Sequence, residues 1–87
     1  MLFMVVERFK DGDFRAVGER FRAKGRMMPA GVEFRASWIE PDGARCFQIN
    51  EAPDRESLAA WMRNWEDLVD FEAVEIVDSA DFWTKVQ

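Results

Sequence analysis

The sequence predicts an α+β fold of the ferredoxin-like type, a βαββαβ plait in which a four-stranded antiparallel sheet carries two helices on one face. Three observations predict it. Four segments have strand character and two have helical spacing, following one another as strand, helix, strand, strand, helix, strand. An Asp-Gly pair joins two alternating runs in mid-chain, the strongest short signal for a hairpin. Nothing resembling a repeat or a linker interrupts the 87 residues, so residues 1–87 read as a single domain.

The first element is Leu2 to Phe9, apolar for five residues and then alternating, as in a strand buried on both sides. Asp11-Gly12-Asp13 ends it and supplies an Asp to cap the next helix. Phe14, Val17, Phe21 and Met28 recur near helical spacing, with Gly25 placed to close the helix and Pro29 to stop it. Gly18 inside this helix costs about 1 kcal/mol relative to Ala, which suggests close backbone packing there.

Val32 to Glu40 and Ala44 to Glu51 flank Pro41-Asp42-Gly43. Pairing across that turn sets Glu40 opposite Arg45, Trp38 opposite Phe47 and Ala36 opposite Ile49. On the other face Ile39 meets Cys46, Ser37 meets Gln48 and Arg35 meets Asn50. The first set reads as the core face, the second as a half-polar face free of helices. Pro53-Asp54 then opens a second helix, whose Leu58, Trp61, Trp65 and Leu68 form one apolar stripe. Phe71 to Asp78 alternates as a fourth strand, and Ser79 to Gln87 is a short tail. Helical connections between strands of one sheet favour right-handed crossovers, which completes the plait.

Missing residue types narrow the chemistry. There is no histidine and no tyrosine, which removes the commonest general base and the commonest transition-metal ligand. One cysteine, Cys46, excludes an internal disulfide and any Cys/His zinc site, and fits a reducing, cytoplasmic setting. Neither a metal site nor a cofactor motif is expected: no loop has EF-hand spacing and no Gly-rich phosphate cradle exists. Glu66, Asp67, Asp70 and Glu72 read as a solvated acidic loop. No apolar run approaches a membrane span, and Met1 to Val6 lacks the flanks of a signal peptide.

Two helices on one side leave the other side of the sheet uncovered. Strand one is apolar both ways, Phe3 and Val5 against Met4 and Val6, and strand four behaves similarly with Val74 and Ile76. Ile39 and Cys46 are assigned to the uncovered side. A contiguous apolar patch marks an interface, and two such sheets stacked about a twofold axis would bury it. A homodimer is therefore expected. The competing arrangement is a monomer whose tail, with Phe82 and Trp83, folds over its own sheet.

The stretches Arg20-Phe21-Arg22-Ala23-Lys24-Gly25-Arg26-Met27, Ala36-Ser37-Trp38, Ala44-Arg45-Cys46-Phe47-Gln48 and Pro53-Asp54-Arg55-Glu56-Ser57-Leu58 resemble a small bacterial family, domain of unknown function three-three-zero-three, over nearly the whole chain. That family is similar to the dimeric α/β-barrel group, whose relatives include cofactor-free monooxygenases, lactone isomerases and ligand-sensing domains. The resemblance implies the same dimeric α/β-barrel assembly. It carries over no catalytic residue.

Charge is segregated. Residues 1–49 hold nine basic and seven acidic side chains, residues 50–87 three and ten. The basic first helix, with Arg15, Arg20, Arg22, Lys24 and Arg26, reads as a complement to the acidic second half rather than a nucleic-acid surface, since the whole chain is acidic at −5. The topology is shared with RNA-binding modules, but Ala44 to Glu51 lacks their basic-Gly-aromatic opening and paired aromatics. No nucleic-acid or membrane partner is expected.

One candidate site remains. Arg35, Ser37, Gln48 and Asn50 cluster on the half-polar face with Cys46 and Ile39 alongside, and Glu7 joins from the neighbouring strand. An apolar cavity with a few convergent polar groups is the default ligand site, here expected between the sheet faces of a dimer. Arg35 would hold a carboxylate or enolate oxygen, Gln48 and Asn50 would orient a carbonyl. Hydrogen bonding across the dimer interface, or simple exposure to solvent, is the alternative for these groups. Cys46 reads as buried and inert, and Trp38, Trp61 and Trp65 as core. The expected function is a binding or accessory module for a small, partly apolar molecule; the alternative is a cofactor-independent monooxygenase or isomerase, in which proton abstraction falls to Glu7 or another carboxylate.

Overall fold

Alternation along the first strand decides which side of the sheet is covered. Phe3, Val5, Glu7 and Phe9 are buried, while Leu2, Met4 and Val6 are half-buried and Arg8 is exposed. In the computed structural model, which describes residues 1–86, this strand is β1 (Leu2–Phe9). With β2 (Glu33–Ile39), β3 (Arg45–Glu51) and β4 (Val69–Ile76) it forms one antiparallel sheet in the order β2-β3-β1-β4, the order of a ferredoxin-like plait. The fold class is the one expected.

Helix α1 (Phe14–Lys24) starts where Asp13 Oδ1 accepts the Ala16 amide at 3.1 Å. It stops at Gly25, whose φ of 68° lets its amide close on Phe21 O. Helix α2 (Arg55–Arg63) is capped by Asp54, which accepts the Ser57 amide at 2.7 Å. Leu58, Trp61 and Trp65 bury against Phe3, Val5, Phe9 and Val69, and Val17 of α1 packs onto the same core.

Some boundaries move. Only Leu58 and Trp61 of the apolar stripe belong to α2; Trp65 and Leu68 lie in the turn that follows. β4 consequently begins at Val69, two residues before Phe71, because Phe9 at the end of β1 finds a pairing partner there. The tail carries a third helix, α3 (Ser79–Lys85), started by Asp78, which accepts the Ala80 amide at 2.9 Å. All its residues are exposed, and Phe82 and Trp83 pack edge-to-face on one another. Among the described residues, α3 therefore gives the sheet no cover.

The hairpin register agrees for Trp38 with Phe47, Ala36 with Ile49, Ser37 with Gln48 and Ile39 with Cys46. It fails at Arg35. A bulge between Phe34 and Ala36 sets Phe34, not Arg35, opposite Asn50. The two faces are also exchanged. Phe3 pairs with Asn50 and Val5 with Gln48, so the half-polar set shares the helix-covered side of β1. Trp38, Phe47 and Ile49 instead share the helix-free side with Met4 and Val6. Ile39 and Cys46 therefore leave the uncovered side to which they were assigned. The physical reason is that both faces carry large apolar groups, so hydrophobicity alone does not rank them. Gln48 and Asn50 tolerate burial because they hydrogen-bond one another.

Candidate ligand cavity

The exchanged face has a chemical consequence: the polar groups lie under the helices. A cavity of about 320 Å³ lies between α1, α2 and the sheet, lined by Phe9, Phe14, Phe21, Trp61 and Trp65 among others. Glu7, Ser37, Cys46 and Gln48 reach it from β1, β2 and β3. Gly18 lines the cavity from α1, and a Cβ there would meet only Arg22 Nη1, at 3.6 Å. Gly18 thus leaves room in the cavity rather than permitting close backbone packing, the role first expected of it.

The polar groups form a chain. Asn50 Nδ2 donates to Gln48 Oε1 at 3.0 Å, and Gln48 Nε2 donates to Glu7 Oε2 at 3.4 Å. All three residues are buried. Asn50 Oδ1 has no partner among the described residues. Burial pushes the Glu7 carboxyl up from 4.5 to about 7, although a hydrogen bond from the Cys46 thiol and the charge of Arg26 both act to lower it. The same burial, with the Glu7 charge nearby, pushes the Cys46 thiol up to about 11. A thiol of that kind stays protonated at neutral pH and is a poor nucleophile.

Arg35 does not join these groups. Its guanidinium bonds Glu51 and pairs with Glu33 at 3.0 Å; both carboxylates sit on the strand positions facing away from the helices. The bulge that displaces Arg35 from Asn50 accounts for this. So of the candidates, Glu7, Ser37 and Gln48 line one cavity, Asn50 supports Gln48, and Arg35 lies apart. The cavity also belongs to one chain, between helices and sheet, and not to a space between two sheets.

Arg26 is the residue the sequence reading passed over, counted there only among the basic side chains near the first helix. It lines the cavity and stacks on Phe34 with its guanidinium carbon 3.6 Å from the ring centre. Its backbone carbonyl accepts from both Trp61 Nε1 and Trp65 Nε1, at 3.0 and 2.9 Å. Asn64 Nδ2 holds the next carbonyl, Met27 O, at 2.9 Å. No spacing in the sequence couples Arg26 to Glu7; the two indole donors of the aromatic stripe bring it there.

The remaining charges explain the acidic loop. Asp67 accepts both arms of the Arg20 guanidinium, at 2.7 and 2.6 Å, and Lys10 lies 3.8 Å from Asp70. The basic first helix thus meets the acidic segment after α2. Among the described residues no His/Cys/Asp/Glu group is arranged to hold a metal ion, and no helix is long and apolar enough to cross a membrane.

Comparison with known proteins gives two findings and one blank. The profile of a family described as a domain of unknown function, DUF3303, matches residues 1–87. Among solved structures the chain is similar to Rv0793 from Mycobacterium tuberculosis, at 16% identity and a TM-score of 0.49, over 92% of this chain and 99% of that one. No curated protein matches it.

Proposed function

We propose that this chain, which belongs to the DUF3303 family, is a homodimeric binding module that holds one small, partly apolar molecule in each subunit. The observation that carries the reading is the ring-lined cavity with Glu7, Ser37 and Gln48 converging on it. Its volume of about 320 Å³ lies at the lower end of ligand pockets, which run from about 300 to 1,000 Å³. Buried polar groups in a purely structural role are normally all paired, whereas Nε of Arg26, a residue lining the cavity, is buried without a partner among the described residues.

The dimer rests on the helix-free face. Trp38 and Val74 stand exposed there beside half-buried Met4, Val6, Phe47 and Ile49, and α3 does not cover them. Stacking two such faces about a twofold axis removes this surface from water.

A second reading has one specific observation in its favour. A carboxyl raised to about 7 in an apolar cavity is suited to take a proton at neutral pH. This supports a cofactor-independent isomerase or monooxygenase, with Glu7 as the base.

Native mass spectrometry of freshly purified protein tests the first reading. A dimer carrying a co-purifying small molecule, lost in Gln48→Leu but kept in Arg35→Gln, is the expected result. A bare monomer that takes up no small aromatic molecule overturns it.

A further inference from the structure

Arg26 and Glu7 are the two charged residues among those lining the cavity. Arg20, Arg35 and Arg45 each have a carboxylate partner, Asp67, Glu51 and Glu40 respectively. Arg26 has neither an ion pair nor a side-chain hydrogen bond among the described residues, and its Nε is buried without a partner. Phe34 occupies one face of the guanidinium, and the Phe21 ring centre lies 5.0 Å from its carbon. Stacking of this kind engages the faces of the guanidinium and leaves its N–H fork, which lies in the plane, able to bond. The main chain beneath it is fixed by Trp61, Trp65 and Asn64. A positioned, unneutralised cation beside an apolar cavity is built for an anion.

We infer that Arg26 is the anion-holding residue of the cavity, and that the ligand is a small conjugated acid, a phenol or an enol, bound as its oxyanion against Arg26 with its proton passed to Glu7. This rests on the cavity reading above. The ring lining favours a flat, unsaturated body, and the volume suits one or two rings. Proton balance follows from the charges. An incoming anion beside an ionised Glu7 would set two negative charges against one positive. Where Glu7 is ionised, breaking the ligand O–H bond and forming an O–H bond on Glu7 leaves the electron pair on the ligand oxygen and one charge of each sign; where Glu7 already carries its proton, the ligand proton leaves to solvent and the same charge pair results. A carboxyl raised to about 7 matches the acidity of such a ligand.

The experiment titrates the full-length protein with para-nitrophenol and with its neutral methyl ether, para-nitroanisole, following the phenolate absorbance below the phenol's own pKa. Wild type is expected to bind the phenol as the coloured phenolate, and more tightly than the ether. Arg26→Gln should abolish the phenolate signal and weaken phenol binding by about tenfold to a hundredfold, the range for a hydrogen bond to a charged group. Its ether binding should stay near wild type. Because Trp61 and Trp65 bond the backbone carbonyl of residue 26, the substitution preserves their anchors; a far-UV spectrum checks the fold, and Arg26→Lys should recover part of the phenolate signal. Tight ether binding with the phenol bound neutral, or an unchanged phenolate signal in Arg26→Gln, overturns the assignment to Arg26 while leaving the cavity reading intact. Binding of neither probe removes both.

Discussion

The Gln48 amide and the Glu7 carboxylate meet across 3.4 Å, on neighbouring strands β3 and β1, with Asn50 holding the far end of Gln48 at 3.0 Å. This pairing explains how a carboxyl tolerates burial beneath two helices. The hydrogen bond from Gln48 and the polar Cys46 thiol beside the carboxyl replace part of its hydration. They do not replace all of it, and its proton affinity rises accordingly.

The first prediction is a pH dependence of stability. Glu7 titrates near 4.5 in the unfolded chain and near 7 when folded. Between those values the native state holds a proton that the unfolded state has released, so stability falls as pH rises from 4.5 to 7. The loss amounts to about 3 kcal/mol, at roughly 1.4 kcal/mol per pH unit. The lowered carboxylates Glu40, Glu51, Asp54 and Asp67 act below this window. Glu7→Gln should flatten the slope and be the more stable protein at pH 8, measured by urea denaturation at several pH values. A slope unchanged by the substitution would refute the burial effect.

Gln48→Leu makes a second test of the same chain. It keeps the volume but removes the acceptor for Asn50 Nδ2, which is then buried and unpaired. The expected loss is about 1–3 kcal/mol. Replacing Gln48 and Asn50 together by Leu should cost less than the sum of the single changes, because the orphaned group goes with them. A double-mutant cycle with zero coupling would contradict this.

How far the sequence speaks can be seen in Arg35 and Phe34. The succession of strands and helices along the chain, both main helix caps and the Asp42-Gly43 hairpin are local features, and each is readable from a few neighbouring residues. The register is readable as far as Ala36. The bulge beyond it is not, because no glycine or proline marks the position, and one added residue turns Arg35 away from Asn50. Which face the helices cover is a tertiary question. Trp38 and Phe47 look more like core than Gln48 and Asn50 do, yet the polar pair lies on the helix-covered side, where Trp61 and Trp65 share the cavity with Gln48. Spacing alone therefore groups Glu7, Ser37 and Gln48 but does not place them on the helix-covered side of the sheet, where they lie. Arg26 joins them only through hydrogen bonds to its main chain.

Two glycines, Gly18 in the cavity wall and Gly43 against the wall residue Phe14, should respond in opposite directions. Gly43 has a φ of 75°, and a Cβ there would lie 2.9 Å from the Phe14 ring. Gly43→Ala carries the left-handed penalty of about 1–2 kcal/mol and also displaces Phe14 from the cavity wall. Gly18 sits in α1 with ordinary φ, and a Cβ there would make only an ordinary contact with Arg22 Nη1, at 3.6 Å. Gly18→Ala should raise stability by about 0.5–1 kcal/mol. Thermal melts of the two variants, read against wild type, should move the midpoint down and up respectively. A stabilised Gly43→Ala would show that the hairpin tip does not rest on Phe14.

The assembly prediction turns on Trp38 and Val74, which are 58% and 48% exposed on the helix-free face. Neither side chain supports the core of its own chain, so replacing either with a charge leaves the isolated fold nearly untouched. In a twofold dimer each substitution occurs twice, and desolvating a charge against the apolar surface of the opposing sheet costs several kcal/mol per ion. Trp38→Glu and Val74→Lys should therefore each convert the dimer to a monomer, with an unchanged far-UV spectrum and wild-type binding of para-nitroanisole, since the cavity lies on the other side of the sheet. Light scattering coupled to size exclusion reads the mass. If both variants keep the dimer mass, the interface lies elsewhere, and the exposed helix α3 with Phe82 and Trp83 becomes the surface to substitute. If they become monomers and lose the ligand as well, the cavity depends on the partner sheet after all.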